Sequence, residues 1–275
     1  MKPTRSAKLF TGHDQGHYTL PKEVLDPRRR LATYSAATDW PVDPWPAAHA
    51  ALLDQVRAVA DGGPPPDIND AVAARAANDI LAGTLPMLRR QVAEELAEEV
   101  DLAVADLAGE ILTSHLRPAL DEVLATVSTA AKAAPVEVLT ATDSMLLSAK
   151  DSVRKAAIAI DCAAFRYHAL RGAHGCVRQL VPAARQDERG SFGELRRMEV
   201  AWPTHRGYTP AAQRPPWEGM TPRARLLFIV TTGAEPWLPT AEEQDARFME
   251  VYGADIAAAL EGRRQAQALA GVFGR

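Results

Sequence analysis

Apolar residues recur along most of the chain at the three- and four-residue steps of an α-helix. The clearest case lies between Arg89 and Leu112, where the apolar positions are Val92, Leu96, Val100, Ala103, Leu107 and Ile111. Their spacing places them on one side of a helix and leaves the acidic residues of the same stretch elsewhere. We therefore predict an acidic helix whose Val/Leu/Ala side packs inside a helical bundle.

Breaks in this pattern define the helices on either side. A helix capped by Asp43 runs to Ala60, where the sequence DGGPPPD ends it. Its predicted apolar side consists of Leu52, Leu53, Val56 and Val59. A second helix over residues 68–82 ends at Gly83, and the acidic helix follows it.

Two prolines and a glycine set the remaining boundaries of the central part. Pro118 predicts a kink or restart of the acidic helix, which then continues to about Ala134. The most regular pattern extends from Ser144 to Arg171, and Gly172 is its expected stop. Two helices of about 30 residues, each roughly 45 Å long, are therefore expected to form the spine of the molecule.

The pattern is less regular beyond residue 184. Residues 185–221 show no period, so a long ordered loop and a short β-hairpin at 195–201 remain alternatives. Residues 221–233 have the Thr-Pro start and Gly end of a helix but a β-branched core, and we favour the helix. Thr240 with Glu243 forms a capping box for a helix, and a last helix begins at Asp255.

The first 45 residues lack a helical stripe of useful length. Glycines and prolines punctuate them, and they carry aromatic residues that include Trp40 and Trp45. A disordered tail is poor in aromatic residues, so we predict an extended arm that lies against its own body or against another subunit.

These patterns together predict a mainly α protein. It is a helical bundle with long central helices, an extended N-terminal arm and a less regular C-terminal region with at most minor β structure. The predicted divisions are an arm over residues 1–45, a helical body over 46–183, and a mixed region over 184–275 that ends in two helices.

The distribution of aromatic residues and charge supports helical packing and raises the question of assembly. No Phe, Tyr or Trp occurs in the 119 residues from 46 to 164, so this part must be filled by small and aliphatic side chains between helices. Net charge alternates from +4 over residues 1–30, to −6 over 84–130, to +5 over 171–226. These blocks are either solvated faces or complementary surfaces, within one chain or between copies.

Cysteine content and hydropathy point to the cytoplasm. Two cysteines are too few for a disulfide framework, and no secretory signal opens the chain. The longest run of large apolar residues, Leu226–Val230, is far shorter than the roughly 20 residues of a membrane-spanning helix. We expect a cytoplasmic protein with no membrane partner.

Four histidines are candidate metal ligands, although none has the spacing of a known site. His13 and His17 in GHDQGH are separated by glycines that disfavour a shared helical face. His168 and His174 lie between Cys162 and Cys176, but the two- to four-residue ligand spacing of zinc sites is missing. Phosphate-binding glycine loops and a nucleophile elbow are also absent from the sequence, so we expect no cofactor.

Three functional hypotheses follow. The first is a structural or interaction protein that associates with itself or with another protein. Its interaction residues would be the aromatic and arginine side chains Trp40, Trp45, Arg196, Arg197, Trp202, Arg206, Tyr208 and Trp217. The second is a helical enzyme or metal-binding protein with a site near His168 and His174. The third is association with nucleic acid through the Arg-rich region 185–225. The sequence assigns no enzymatic activity.

Overall fold

A computed structural model describes residues 4–37, 45–60, 62–141, 143–181, 193–203 and 215–273, and the protein is mainly α-helical, as predicted. Two π-helical turns, Ile80–Thr84 and Ile111–Leu116, join α-helices. In chain order the α-helices are α1 (Ala7–Asp14), α2 (Lys22–Ala36), α3 (Trp45–Ala60), α4 (Asn69–Asp79), α5 (Leu85–Asp106), α6 (Ala108–Glu110), α7 (Arg117–Ala131), α8 (Val136–Leu139), α9 (Asp143–Leu147), α10 (Asp151–Leu180), α11 (Met198–Ala201), α12 (Pro222–Thr231) and α13 (Ala241–Phe273).

The chain forms two compact units. The first unit consists of Met1–Thr4 and Lys22–Ala103, and the second of Arg5–Pro21 and Val104–Arg275. This division differs from the three consecutive parts expected from the sequence, because segments distant along the chain pack together. In the second unit, for example, the Arg166 Nε donates a hydrogen bond to the backbone oxygen of His17 at 2.9 Å.

The prediction of an extended N-terminal arm is wrong, because residues 7–14 and 22–36 are helical. Leu9 and Phe10 of α1 are buried within the second unit. Tyr18, which follows α1 in the chain, is buried there as well. The Tyr18 hydroxyl donates a hydrogen bond to the Leu9 carbonyl at 2.5 Å, and its ring lies against Gly12. The apolar residues of α1 are too few to give a visible stripe, so tertiary packing stabilises this short helix.

Two antiparallel contacts organise the first unit. Helix α2 lies along α5, where Arg30 pairs with Glu99 and the Tyr34 hydroxyl donates to the Arg89 carbonyl at 3.2 Å. Helices α3 and α4 form a hairpin. The prediction that Gly83 ends the helix containing α4 is wrong. The π-helical turn Ile80–Thr84 carries the helix through this glycine into α5.

The buried side of the acidic helix is shifted from its predicted position. Val100 is buried as expected, but Val92 is exposed, and Ala93 and Val104 lie on the buried side instead. A non-helical residue, Leu107, separates α5 from α6. At Pro118, where a kink or restart was predicted, the chain stays helical, and the π-helical turn Ile111–Leu116 leads directly into α7.

Helix α10 forms the centre of the second unit and packs against α1, α7 and α12. It begins at Asp151, later than predicted, and it continues through Gly172 to Leu180. The buried residues Ala173, Cys176 and Val177 extend its apolar side by two more turns. The gain from burying them outweighs the roughly 1 kcal/mol preference of glycine for a helix end.

The C-terminal region confirms some predictions and corrects others. Residues 222–231 are helical, and the Thr240–Glu243 capping box is present. A single helix, α13, replaces the two predicted at the end. Among the described residues no hairpin forms at 195–201, where an isolated antiparallel bridge pairs Leu195 with Pro236. Leu195 belongs to a separate small core, whose other large members are Met198, Trp202, Trp217, Ile229, Phe248 and Tyr252.

Within the described part of the chain, no helix combines the length and the apolarity needed to cross a membrane.

Candidate functional site

Three consecutive backbone carbonyls before α13 each accept a hydrogen bond from a side chain of another helix. Arg171 Nη1 donates to the Trp237 oxygen at 2.9 Å, and Arg117 Nε donates to the Leu238 oxygen at 3.0 Å. His174 Nε2 lies 2.7 Å from the Pro239 oxygen. Since backbone carbonyls in an irregular segment need partners when they are buried, these bonds fix the approach of the chain to α13.

His174 is the most strongly perturbed of these donors. Its side chain is buried, and this desolvation, helped by the nearby Arg171 guanidinium, lowers its pKa to about 3. The bond to Pro239 opposes this shift only partly. The imidazole is therefore neutral at physiological pH and carries its proton on Nε2, because a carbonyl oxygen can only accept.

The first turn of α13 completes this arrangement. The Glu243 carboxylate accepts a hydrogen bond from the Thr240 backbone N–H at 2.8 Å, and the Thr240 hydroxyl accepts one from the Glu243 N–H at 3.2 Å. The same carboxylate pairs with Arg117. Arg178 of α10 donates to the Gln244 side chain. Two helices thus hold the start of α13 through charge-assisted bonds.

A cavity of about 300 Å³ lies beside His174 in the second unit. Its walls are mostly small and apolar, and Arg178 and Glu242 provide its charged groups. The α13 N-terminus cannot readily take an anion here, because the Glu242 carboxylate already interacts with its own backbone N–H and with Thr240, which lowers its pKa.

A larger cavity, of about 950 Å³, lies in the same unit between α10 and the start of α12. On one wall Arg225 Nη2 donates to both carboxylate oxygens of Glu194, at 2.7 and 2.6 Å. The Tyr167 hydroxyl donates to Glu194 at 3.0 Å. Burial and the adjacent Glu194 carboxylate raise the pKa of Tyr167, so its hydroxyl remains protonated and keeps donating.

A second ion pair also lines this cavity. Arg223 Nη1 donates to Asp161 at 2.8 Å, and its Nη2 donates to the Ala141 carbonyl at 3.1 Å. Arg171, whose Nη1 binds Trp237, and His168 also line the cavity. The site therefore combines three arginines with two carboxylates, which the sequence did not indicate because these five residues are spread from residue 161 to residue 225.

The candidate histidines do not converge. His13 Nδ1 lies 3.4 Å from the Tyr18 carbonyl, whereas His17 Nε2 lies 3.1 Å from the Gln15 side chain. His168 is exposed and lines the larger cavity, and His174 is buried beside the smaller one. In the ranges that the structure describes, no three His, Cys, Asp or Glu side chains form a group that could hold a metal ion.

The predicted interaction residues are divided between the core and internal contacts. Trp202 and Trp217, which were predicted to be interaction residues, are both buried and pack edge to face at 5.9 Å. Both rings pack in the small core around Leu195. The sequence around them has no clear period, so it does not indicate that they are buried. Trp40, Arg206 and Tyr208 lie outside the described residues.

The remaining three interaction candidates contact neighbouring side chains. Arg196 lies over the Trp237 ring at 5.8 Å, and Arg197 pairs with Glu235 at 3.5 Å. Trp45 stacks on His49 and lies under the Arg75 guanidinium at 5.3 Å. In the first unit, Trp45 thus joins α3 to α4, a contact that the predicted helix boundaries did not anticipate.

An exposed apolar surface in the first unit was also missed. None of the described side chains of α3 is buried, and between residues 45 and 99 only Ala71, Ala74 and Ala93 are buried in the described part. Ten large apolar side chains of the first unit, between residues 53 and 102, are exposed: Leu53, Val56, Val59, Ile68, Val72, Ile80, Met87, Leu88, Val92 and Leu102. We call these ten residues the exposed apolar set. The predicted apolar side of α3 was correctly identified but does not face a core.

Comparison with known proteins finds no match to a family model, a curated protein or a solved structure. Function must therefore be inferred from the two features described above, the exposed apolar set and the charged cavities of the second unit.

Proposed function

We propose that the protein is a structural or interaction protein that associates with itself through the exposed apolar set of its first unit. The observation that supports this proposal is the near absence of a core beneath α3, α4 and the first part of α5. Isolated helices of this length are marginal in water, and their stability in proteins comes from packing an apolar face. Burial of the set against a second copy supplies this packing.

The free energy gained by burying the exposed apolar set is sufficient for association. About half of each side chain in the set is exposed, so its burial contributes about 1 kcal/mol. Ten such side chains in each of two copies contribute about 20 kcal/mol, which exceeds the roughly 4–15 kcal/mol cost of association. Burial of only a few of them would not exceed this cost, so the proposed interface involves most of the set.

The charge distribution supports a second copy as the partner. Residues 84–130 carry a net charge of −6 and residues 171–226 a net charge of +5. Glu94, Glu95 and Glu98 are exposed on α5, and the net positive charge of residues 171–226 is complementary to theirs. Opposite charges around an apolar contact favour one partner over others and fix the orientation.

The test is the mass of the protein in solution, measured by light scattering after size exclusion at micromolar concentration. We expect a mass at least twice the 29.7 kDa of one chain. The double variant Val72→Lys and Ile80→Lys introduces two charges into the exposed apolar set and is expected to give a monomer.

The matched control is Met145→Lys with Leu147→Lys, which places two charges on similarly exposed side chains of the second unit. This variant is expected to keep the mass of the unmodified protein. A monomeric unmodified protein contradicts the proposal, and so does a control variant that dissociates as readily as the first.

The described contacts do not favour the other two hypotheses. The described arginines of the 185–225 region make contacts within the chain, and the tryptophans of that region that could stack on bases are buried in the described part. The proposal that this region associates with nucleic acid predicts steep salt dependence of binding and remains to be tested in that way. An enzymatic or metal-binding role near His168 and His174 has no ligand cluster among the described side chains to support it.

A further inference from the structure

The larger cavity of the second unit has a surplus of one positive charge. Arg223 is neutralised by Asp161 and Arg225 by Glu194. The third cation, Arg171, uses one nitrogen for the Trp237 carbonyl, and among the described residues no carboxylate lies within 4.0 Å of its guanidinium. A guanidinium that lines a cavity without a carboxylate partner is suited to a planar anion that binds two of its N–H groups.

The start of α12 adds to this positive potential. Thr221 caps the helix by accepting a hydrogen bond from the Ala224 N–H at 3.2 Å, and Thr221 and Pro222 line the cavity. The aligned peptide dipoles of a helix place a partial positive charge at its N-terminal end. Both Arg171 and the helix end therefore favour an anion in the same cavity.

Several apolar side chains also line the cavity. Phe165 of α10 and Met220 before α12 are exposed at this cavity, although both are large and apolar. Leu226 and Ala164 also line the cavity and are buried. Ligand sites of proteins usually combine such an apolar lining with a few charged groups, and their volumes fall in the same range as the 950 Å³ found here.

We propose that this cavity binds a small organic monocarboxylate with an apolar body. The carboxylate pairs with the Arg171 guanidinium, and the apolar body lies against Phe165 and Leu226. The surplus of a single positive charge, together with the nearby Asp161 and Glu194 carboxylates, favours a monoanion over a phosphate dianion. This site is independent of the proposed self-association, which rests on the first unit.

The test compares 4-phenylbutyrate with its uncharged amide, because the two probes share the same apolar body. Binding to the full chain is measured by calorimetry and by NMR. We expect the carboxylate to bind at least about tenfold more tightly than the amide. A hydrogen bond to a charged group contributes about a factor of ten or more in affinity. The Arg171→Gln variant is expected to bind the two probes equally, and Arg171→Lys is expected to retain part of the difference.

A second variant keeps the proposal testable if Arg171→Gln fails to fold. Phe165 is exposed, so Phe165→Ala leaves the core intact and removes the apolar wall. This variant is expected to weaken the binding of both probes by a similar factor. Equal affinity for carboxylate and amide in the unmodified protein, no saturable binding at millimolar concentration, or tighter binding of phenyl phosphate would each overturn the proposal. Unchanged binding in Phe165→Ala would overturn it as well.

Discussion

The His174 imidazole donates a hydrogen bond from Nε2 to the Pro239 carbonyl, with 2.7 Å between the nitrogen and the oxygen. The two residues are 65 positions apart, and this bond joins the last third of α10 to the residue before the α13 capping box. Because the ring is buried near Arg171, Arg178 and Arg117, a proton on its second nitrogen would be strongly disfavoured. This contact therefore couples the fold of the second unit to pH.

The stability of the protein is expected to fall on acidification because of His174. Its pKa is 6.5 in an unfolded chain and about 3 in the folded chain. Between these two values the unfolded chain binds a proton that the folded chain does not, so stability is lost as pH falls below about 6.5. From pH 7 to pH 4.5 the loss from this residue is about 2–3 kcal/mol.

Urea unfolding at both pH values checks this expectation against the His174→Gln variant. Glutamine can donate to Pro239 but does not titrate, so the variant should lose about 2–3 kcal/mol less on acidification. The carboxylates titrate in both proteins and cancel in the comparison. Equal losses in the two proteins would contradict the proposed coupling.

Removal of the Glu194 carboxylate is expected to destabilise the second unit. Glu194 is largely buried, and it accepts bonds from Arg225 and Tyr167. We expect Glu194→Ala to cost about 1–3 kcal/mol, because both donors lose their acceptor. The matched control is Glu235→Ala, which breaks the exposed pair with Arg197 and should change stability by less than about 0.5 kcal/mol. Similar costs of the two variants in thermal unfolding would show that burial of the pair is unimportant.

Substitution of Gly12 by alanine is expected to disturb the packing of α1. An added Cβ would lie 2.5 Å from the Tyr18 hydroxyl oxygen and within 2.8 Å of its ring. The expected cost is about 1–3 kcal/mol, since Tyr18 must move from a buried position. The control is Gly175→Ala in α10, where an added Cβ meets nothing within 4 Å and should stabilise the helix by about 0.5–1 kcal/mol. Two substitutions with the same effect would exclude a steric role for Tyr18.

Loss of the α13 cap is expected to weaken the C-terminal helix. Thr240→Ala removes the acceptor for the Glu243 N–H and should cost about 0.5–2 kcal/mol in urea unfolding. Thr126→Ala in the interior of α7 removes only a bond to the Glu122 carbonyl. This control is expected to be neutral or slightly stabilising, because alanine has the higher helix propensity.

The proposed association is expected to depend on salt. Pairing between the acidic residues 84–130 of one copy and the basic residues 171–226 of another would weaken as the Debye length decreases from about 10 Å at 0.1 M to about 3 Å at 1 M. We expect the dissociation constant, measured by sedimentation, to rise with salt. Association that strengthens steadily with salt would indicate apolar burial without the charge pairing.

Local patterns predicted the helices well where the signal lay within one or two turns. The Thr-Pro start of α12 and the capping box of α13 are both present, because each depends on bonds between residues at most four positions apart. The predicted helix ends at Gly83 and Gly172 are wrong, because the continuation of a helix past a glycine is not decided by the local sequence alone. A glycine ends a helix only when the following residues gain nothing by continuing it, and the buried residues after Gly172 gain by burial in α10.

The candidate sites could not be predicted from spacing. The larger cavity brings together Asp161 and Arg171 of α10, Glu194 and Arg225 of α12, which have no common motif. His168 and His174 are six residues apart in sequence, but the helix directs them to different cavities. In the first unit, the apolar side predicted for α3 is largely exposed. The sequence could not predict this exposure, because it depends on which helices pack nearby.

The sequence by itself determined that this protein is mainly α-helical, where many of its helices lie and how α13 is capped, because these depend on hydrogen bonds and side-chain spacing along one segment. Only the tertiary structure decided which apolar sides are buried, which arginines are neutralised and where His174 finds its acceptor. Burial and ion pairing depend on distances between segments far apart in the chain, and those distances are fixed only when the helices pack.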